Sequence, residues 1–235
     1  MLNRIARYLG AQQWNAIAIE FLIVTAGVLM GIQVNNWNES RLEKARIDQQ
    51  LVSLRTELEG NLATIRRYQR NVDAQLADML ALEHAFDGAR SNQADIDRNL
   101  MNVFRVGSLI LETSAYDELN NSGNFRHVAP DIRAAMTEWQ ASKGVVLRVD
   151  QDALNYRLSI VDHLFGALAF DPMVKSLAPE FEPASNGPLS NDPARLARDP
   201  KMRNFLAMRF GIETQKRQFA EQLERSTERL IALLE

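Results

Sequence analysis

The chain has 235 residues, 46 % of them hydrophobic and 24 % charged, with a net charge of −3 and no cysteine. That length suits one sizeable domain plus an appendage, or two small domains. The lack of cysteine excludes disulfides, zinc–thiolate sites and thiol catalysis, and a nucleic-acid binder would carry a basic face that this acidic balance does not suggest. With few glycines and prolines and only 7 % aromatics, the composition leans towards helices.

Residues 14–37 contain one formal charge, Glu20. A helix of that length is ~36 Å long, enough for a hydrocarbon core of ~30 Å. Trp14 and Trp37 stand at its ends, where indole rings favour the headgroup level. Asn35, Asn36, Trp37 and Asn38 follow the apolar run in place of a small-residue cleavage site. An uncleaved anchor is expected over 14–37, with residues 1–13 as a short tail. The alternative is a buried helix of a soluble bundle. Positive charge is nearly even on the two sides, with Arg4 and Arg7 before the run and Arg41, Lys44 and Arg46 after it. The amino terminus is assigned to the cytoplasm, because the tail has no acid and a large downstream domain translocates whatever its charge.

Gly27 and Gly31 form a small-xxx-small pair that lets two helix backbones approach closely. At 100° per residue Glu20 and Asn38 share their face. A carboxyl group in lipid is costly and needs a partner, so Glu20, Gly27 and Gly31 are read as a candidate association face. The competing reading puts Glu20 near the headgroups and makes the glycines incidental.

From residue 51 the apolar residues Leu51, Leu58, Ile65, Val72, Met79 and Phe86 fall seven apart. Leu54, Tyr68 and Leu82 fill intervening positions, and Asn61 and Gln75 interrupt them. A sustained seven-residue period predicts a long helix in a coiled coil or bundle. Span and stalk are expected to form one helix over 14–87, with Gly88 as a left-handed stop. A second helix is expected over 91–105. Thr113 or Ser114 is expected to cap a third, which Asn120, Asn121, Ser122 and Gly123 end. A fourth runs from about Pro130 to Leu168 on Ile132, Met136, Trp139, Val146, Val149, Tyr156, Ile160 and Leu164. Residues 171–200 hold six of the seven prolines and are expected to form a long loop. Asp199-Pro200 opens the last helix, with Phe205, Met208, Ile212, Phe219, Leu223, Leu230 and Leu233 as its stripe. The predicted fold is all-α: a four-helix-type bundle, residues 38–235, on a transmembrane first helix.

No residues are identified as catalytic, cofactor-binding or metal-binding. His84, His127 and His163 have no His partner at helical spacing and no Glu-x-x-His pattern. No nucleophile elbow, phosphate loop or dinucleotide fingerprint occurs.

Two stretches carry a resemblance. Gln33, Val34, Asn35, Asn36, Trp37, Asn38 and Glu39 close the apolar run, and Tyr116, Leu119, Ser122, Gly123 and Asn124 form a Tyr-x-x-Leu-x-x-Ser-Gly-Asn segment. Together they resemble an uncharacterised family of small bacterial single-span membrane proteins, over roughly the first 140 residues. Family members carry more basic residues before the span than this chain does. The resemblance implies an inner-membrane anchor and a helical, extracytoplasmic soluble domain, and it implies no reaction or cofactor. The expected function is non-enzymatic: interaction or assembly at the membrane, with the lipid bilayer and a second copy or another membrane protein as partners. The alternative is a periplasmic small-molecule sensor. Thirteen residues before the span are too few for an output domain, so such a sensor would signal through a partner protein.

Overall fold

Leu54, Leu58, Ile65, Val72, Met79 and Leu82 are all buried, as their seven-residue rhythm requires. They belong to α1, a single α-helix Leu2–Phe86. The computed structural model describes residues 2–182 and 190–235, with side chains from residue 18 onward. The side chains of Arg4, Arg7 and Trp14 and the stretch 183–189 of the expected loop lie outside the described residues. Among those described there are seven α-helices and no strand, so the fold is all-α. After α1 come α2 (Gln93–Phe104), α3 (Ser114–Asn121), a 3-10 turn (Asn124–His127), α4 (Pro130–Ala167), α5 (Phe170–Leu177), α6 (Pro193–Ala197) and α7 (Pro200–Leu233). Internal contacts divide the chain into two units, Met1–Val52 and Ser53–Glu235.

The first unit is helical from Leu2. Its apolar side chains from Ile19 to Trp37 are exposed, Phe21 by 68 %. It contains the start of the one helix among the described residues that is long and apolar enough, by length and composition, to cross a membrane.

The second unit holds the core. Three long helices make it: the remainder of α1, α4 and α7. Arg55–Glu235, Arg66–Glu224 and Arg203–Glu83 ion pairs set α7 antiparallel to α1. Glu138–Arg229 and His163–Asp199 pairs set it antiparallel to α4 as well. Helices α1 and α4 therefore run parallel, and two parallel neighbours need a return between them. α1 stops at Gly88, whose φ of 90° suits glycine. The Gly88 and Ala89 amides bond back to the Ala85 and His84 carbonyls, a Schellman stop. α2, the non-helical residues 105–113 and α3 then retrace α1 in the opposite sense.

Around α2, α5 and α6 a cluster of Leu82, Phe86, Ile96, Leu100, Leu164, Met173, Leu196 and Phe205 closes this end of the core. The expected loop over 171–200 is in part helical. Pro172 lies in the first turn of α5 and Pro193 opens α6, where a missing N–H costs nothing because those amides have no intrahelical acceptor. Asn191 is fully buried. Its side chain accepts from the Ala169 amide at 2.8 Å and donates to Asp97 Oδ1 and the Ala169 carbonyl.

Asp199 opens α7, as its sequence pattern predicts, accepting from the Lys201 and Met202 amides. Burial works to raise its pKa, but the hydrogen bond from His163 and these two amides outweigh it and hold the carboxyl below its usual range. The folded value lies below the unfolded one, so the stabilisation is present above the unfolded value and is lost as pH falls through the folded value. Asp199→Ala should cost about 1 kcal/mol at pH 7 in urea unfolding, and the gap from the parent should close as the buffer is taken well below pH 4.

Candidate functional site

Buried charge is the least expected feature of the core. The stripe of α7 was expected to continue through Met208 and Ile212. Met208 is instead 51 % exposed, and the fully buried positions between Phe205 and Ala220 are Arg209, Glu213 and Lys216. Spacings of three and four keep them on one face, and that face turns to Tyr68 of α1, Asp150 of α4 and residues 105–109. The helix rotates to bury charge because there is charge and unpaired backbone for it to meet.

The geometry is closely coupled. Tyr68 donates to Asp150 Oδ1 at 2.6 Å, and the Leu109 amide donates to Asp150 Oδ2 at 2.7 Å. Lys216 Nζ sits 3.0 Å from Asp150 Oδ1 and donates to the Gly107 carbonyl at 3.2 Å. Arg209 Nη2 donates to the Arg105 carbonyl and lies 2.7 Å from Glu213 Oε1, while Lys216 Nζ is 3.5 Å from the same oxygen. Two cations and two carboxylates balance to zero. Burial, with the Asp150 charge behind it, pushes the Tyr68 phenol far above its usual range, so it remains a donor. Burial lowers the Arg209 guanidinium, and the Glu213 charge opposes that.

The cluster is not saturated. Neither oxygen of Glu213 meets hydrogen-bond geometry with any described group, despite the close Arg209, and Arg209 Nε and Nη1 also lack partners. Against Glu213, Lys216 and Tyr68 lies a cavity of about 200 Å³, lined also by Thr64, Arg67, Asn71, Gln75 and residues 107–110. Ile110, 80 % exposed, and the exposed Arg67 mark its mouth. Beyond them a wider groove of about 770 Å³ continues over Gly60, Asn61 and Glu112 to Ala115.

The residues singled out from the sequence fall elsewhere. Glu20, Gly27, Gly31, Asn35, Asn36, Trp37 and Asn38 lie along α1 in the first unit, and a Cβ at either glycine would meet nothing. Asn35 donates to Glu39 at 2.8 Å, and Arg41 lies over the Trp37 ring. Tyr116, Leu119, Ser122, Gly123 and Asn124 form a helix stop. Leu119 is fully buried, and Tyr116 packs on Trp139 at 5.4 Å between centroids. Ser122 donates to the Leu119 carbonyl and accepts from the Asn124 amide. Gly123 takes φ 76°, the left-handed geometry a side chain would strain. The expected cap at Thr113 or Ser114 is replaced: Thr113 makes no cap bond, and Glu57 of α1 accepts from Ser114 Oγ and the Ala115 and Tyr116 amides.

Sequence reasoning missed Asp150, Arg209, Glu213 and Lys216. The signal was present: each occupies a core-facing position of a helical stripe. His163 pairs with Asp199 and His127 accepts from Arg126. Among the described residues no three His, Asp or Glu side chains group in a way that could hold a metal ion.

Removing one member of a buried pair strands its partner, at about 3–5 kcal/mol. Lys216→Met should fall in that range by urea unfolding. A loss under 1 kcal/mol would mean that the cluster is solvated in solution.

No protein-family model, curated protein or solved structure matches the chain.

Proposed function

We propose that the chain is a single-span, inner-membrane protein of the bacterial family it resembles, acting without catalysis in interaction or assembly. The observation that carries this reading is the first unit. Ile19, Phe21, Leu22, Ile23, Val24, Val28, Leu29, Met30 and Ile32 lie exposed on one helix, and so much contiguous apolar surface in water is a liability unless lipid or a partner covers it. Trp37 and Asn38 then mark the headgroup end, with the second unit on the periplasmic side. In this reading the three long helices and the return through α2 are a four-helix-type bundle in which residues 105–113 replace part of the fourth helix. Glu20, Gly27 and Gly31 supply the contact with a second copy or another membrane protein.

A second reading has a specific observation behind it. The cavity beside Glu213 and Lys216 suits a periplasmic sensor of a small molecule, signalling through a partner.

The anchor reading predicts that the full-length chain partitions with membranes and resists carbonate extraction. Cross-linking in membranes should trap an oligomer or a co-purifying protein, and Gly27→Ile with Gly31→Ile should remove most of that species. Release of the full chain by carbonate would refute the anchor, and a strict monomer without a co-purifying protein would refute assembly.

A further inference from the structure

We infer that residues 106–110 present a free strand edge, and that an extended segment of another protein adds to it in the groove between that edge and α1. The inference goes beyond the anchor reading and does not use the contact through Gly27 and Gly31. Residues 105–112 run beside α1 outside any helix. Gln75 holds the Arg105 carbonyl at one end, and Asn61 holds both backbone groups of Glu112 at the other. Between those ties the backbone hydrogen bonds alternate. The Arg105 and Gly107 carbonyls accept from Arg209 and Lys216, and the Leu109 amide donates to Asp150. Val106, Ser108 and Ile110 make no hydrogen bond to a described residue. In an extended chain the N–H and C=O of one residue point to one edge and those of the next residue to the other. The core therefore uses one edge of this segment, and the amides and carbonyls of Val106, Ser108 and Ile110 line the other. Ser108 and Ile110 are exposed, so a partner can reach that edge. An unpaired edge is a template for a further strand.

The groove decides the form of the occupant. Thr64, Arg67 and Ile110 line both the cavity of about 200 Å³ and the wider groove of about 770 Å³, so the two are continuous. Their α1 wall runs from Ser53 to Gln75, ~33 Å along the helix axis, the length of about ten extended residues at ~3.3 Å each. A helical partner brings no free backbone groups to the edge, because its own turns use them. Two copies cannot pair edge to edge, because α1 walls the same edge in each. A single extended chain meets both demands: its backbone pairs with Val106, Ser108 and Ile110, and its outer edge faces Asn71, which is exposed and makes no hydrogen bond to a described residue. The side chains it needs follow from the walls. Ile110, 80 % exposed, offers an apolar cross-strand contact. Arg67, exposed at mid-groove and without an ion pair among the described residues, favours a carboxylate beside it. Glu57, Glu112 and Glu118 line the α3 end and disfavour an acid there. The occupant is thus a strand of about ten residues with an apolar and an acidic residue near its middle.

Random ten-residue peptides, displayed on phage and panned on the detergent-solubilised full chain, supply the probes, and fluorescence anisotropy reads their binding. The inference predicts saturable binding that N-methylation of the peptide backbone weakens at least tenfold at one set of alternate amides and much less at the intervening set. Ser108→Pro removes an edge N–H that bonds nothing in the protein, at a position where a strand tolerates proline, and should weaken binding at least tenfold without moving Tm. If the proline does lower Tm, the N-methyl series on the unaltered protein decides. Amide exchange at Ser108 and Ile110 should slow when peptide binds, while Leu109, already bonded to Asp150, should not change. Binding that is unaltered in Ser108→Pro, or an N-methyl series without alternation, overturns the inference. So does a selection that yields no peptide protecting Ser108 and Ile110. None of these outcomes bears on carbonate extraction or on cross-linking through α1, which decide the anchor and assembly readings separately.

Discussion

One short piece of non-helical chain dictates the chemistry of this core. Helices α1 and α4 run parallel, so the chain must return along α1 before α4 begins. α2 covers the first part of that return and residues 105–113 the next. Gln75 holds the Arg105 carbonyl and Asn61 holds Glu112 through both its amide N–H and carbonyl. Those two side chains lie fourteen residues apart on α1, ~21 Å along its axis. Seven residues from 105 to 112 span at most ~25 Å, so the segment is stretched almost to its limit and can form no turn of helix. The alternation at its centre agrees: Leu109 is buried and Ile110 exposed.

A stretched chain with no neighbouring strand has no backbone partners of its own, and each buried group left unpaired costs about 1–3 kcal/mol. The helices supply partners from side chains. Asp150 takes the Leu109 amide, Lys216 reaches the Gly107 carbonyl and Arg209 the Arg105 carbonyl. Long cationic side chains can span from a helix to a backbone that lies too far for a direct bond. Once buried, they demand counter-charges, and Asp150 and Glu213 provide them. Asp150 is fully used, by Tyr68, Leu109 and Lys216. Glu213 balances the charge of Arg209 and Lys216 but is left without well-aligned donors.

The long elements were legible because they rest on local rules: the heptad rhythm of α1, the Gly88 and Gly123 stops, and the Asp199-Pro200 start. The interruptions Asn61 and Gln75 were visible as breaks in the stripe, yet their partners are backbone atoms 51 residues from Asn61 and 30 from Gln75, and no local pattern names them. The same holds for the cap of α3, where Glu57 of another helix displaces the nearer Thr113 and Ser114. The proline-rich stretch read as loop because prolines break helix interiors, but Pro172 and Pro193 occupy first turns, where they do not. The path of α7 was misjudged by assuming that the buried face must be apolar, so Met208 and Ile212 were favoured over Arg209 and Glu213. The candidate site itself was passed over for that reason, although its residues stand at core-facing positions of their stripes.

The central claim is that residues 105–113 are held by side chains as firmly as a helix is held by its own backbone. Amide hydrogen exchange at Leu109 and Glu112 tests it most directly. The account predicts protection approaching that of the core of α7, lost at Leu109 when Asp150 is replaced by Ala. Exchange at both amides at the rate of an unstructured loop in the parent protein would contradict it.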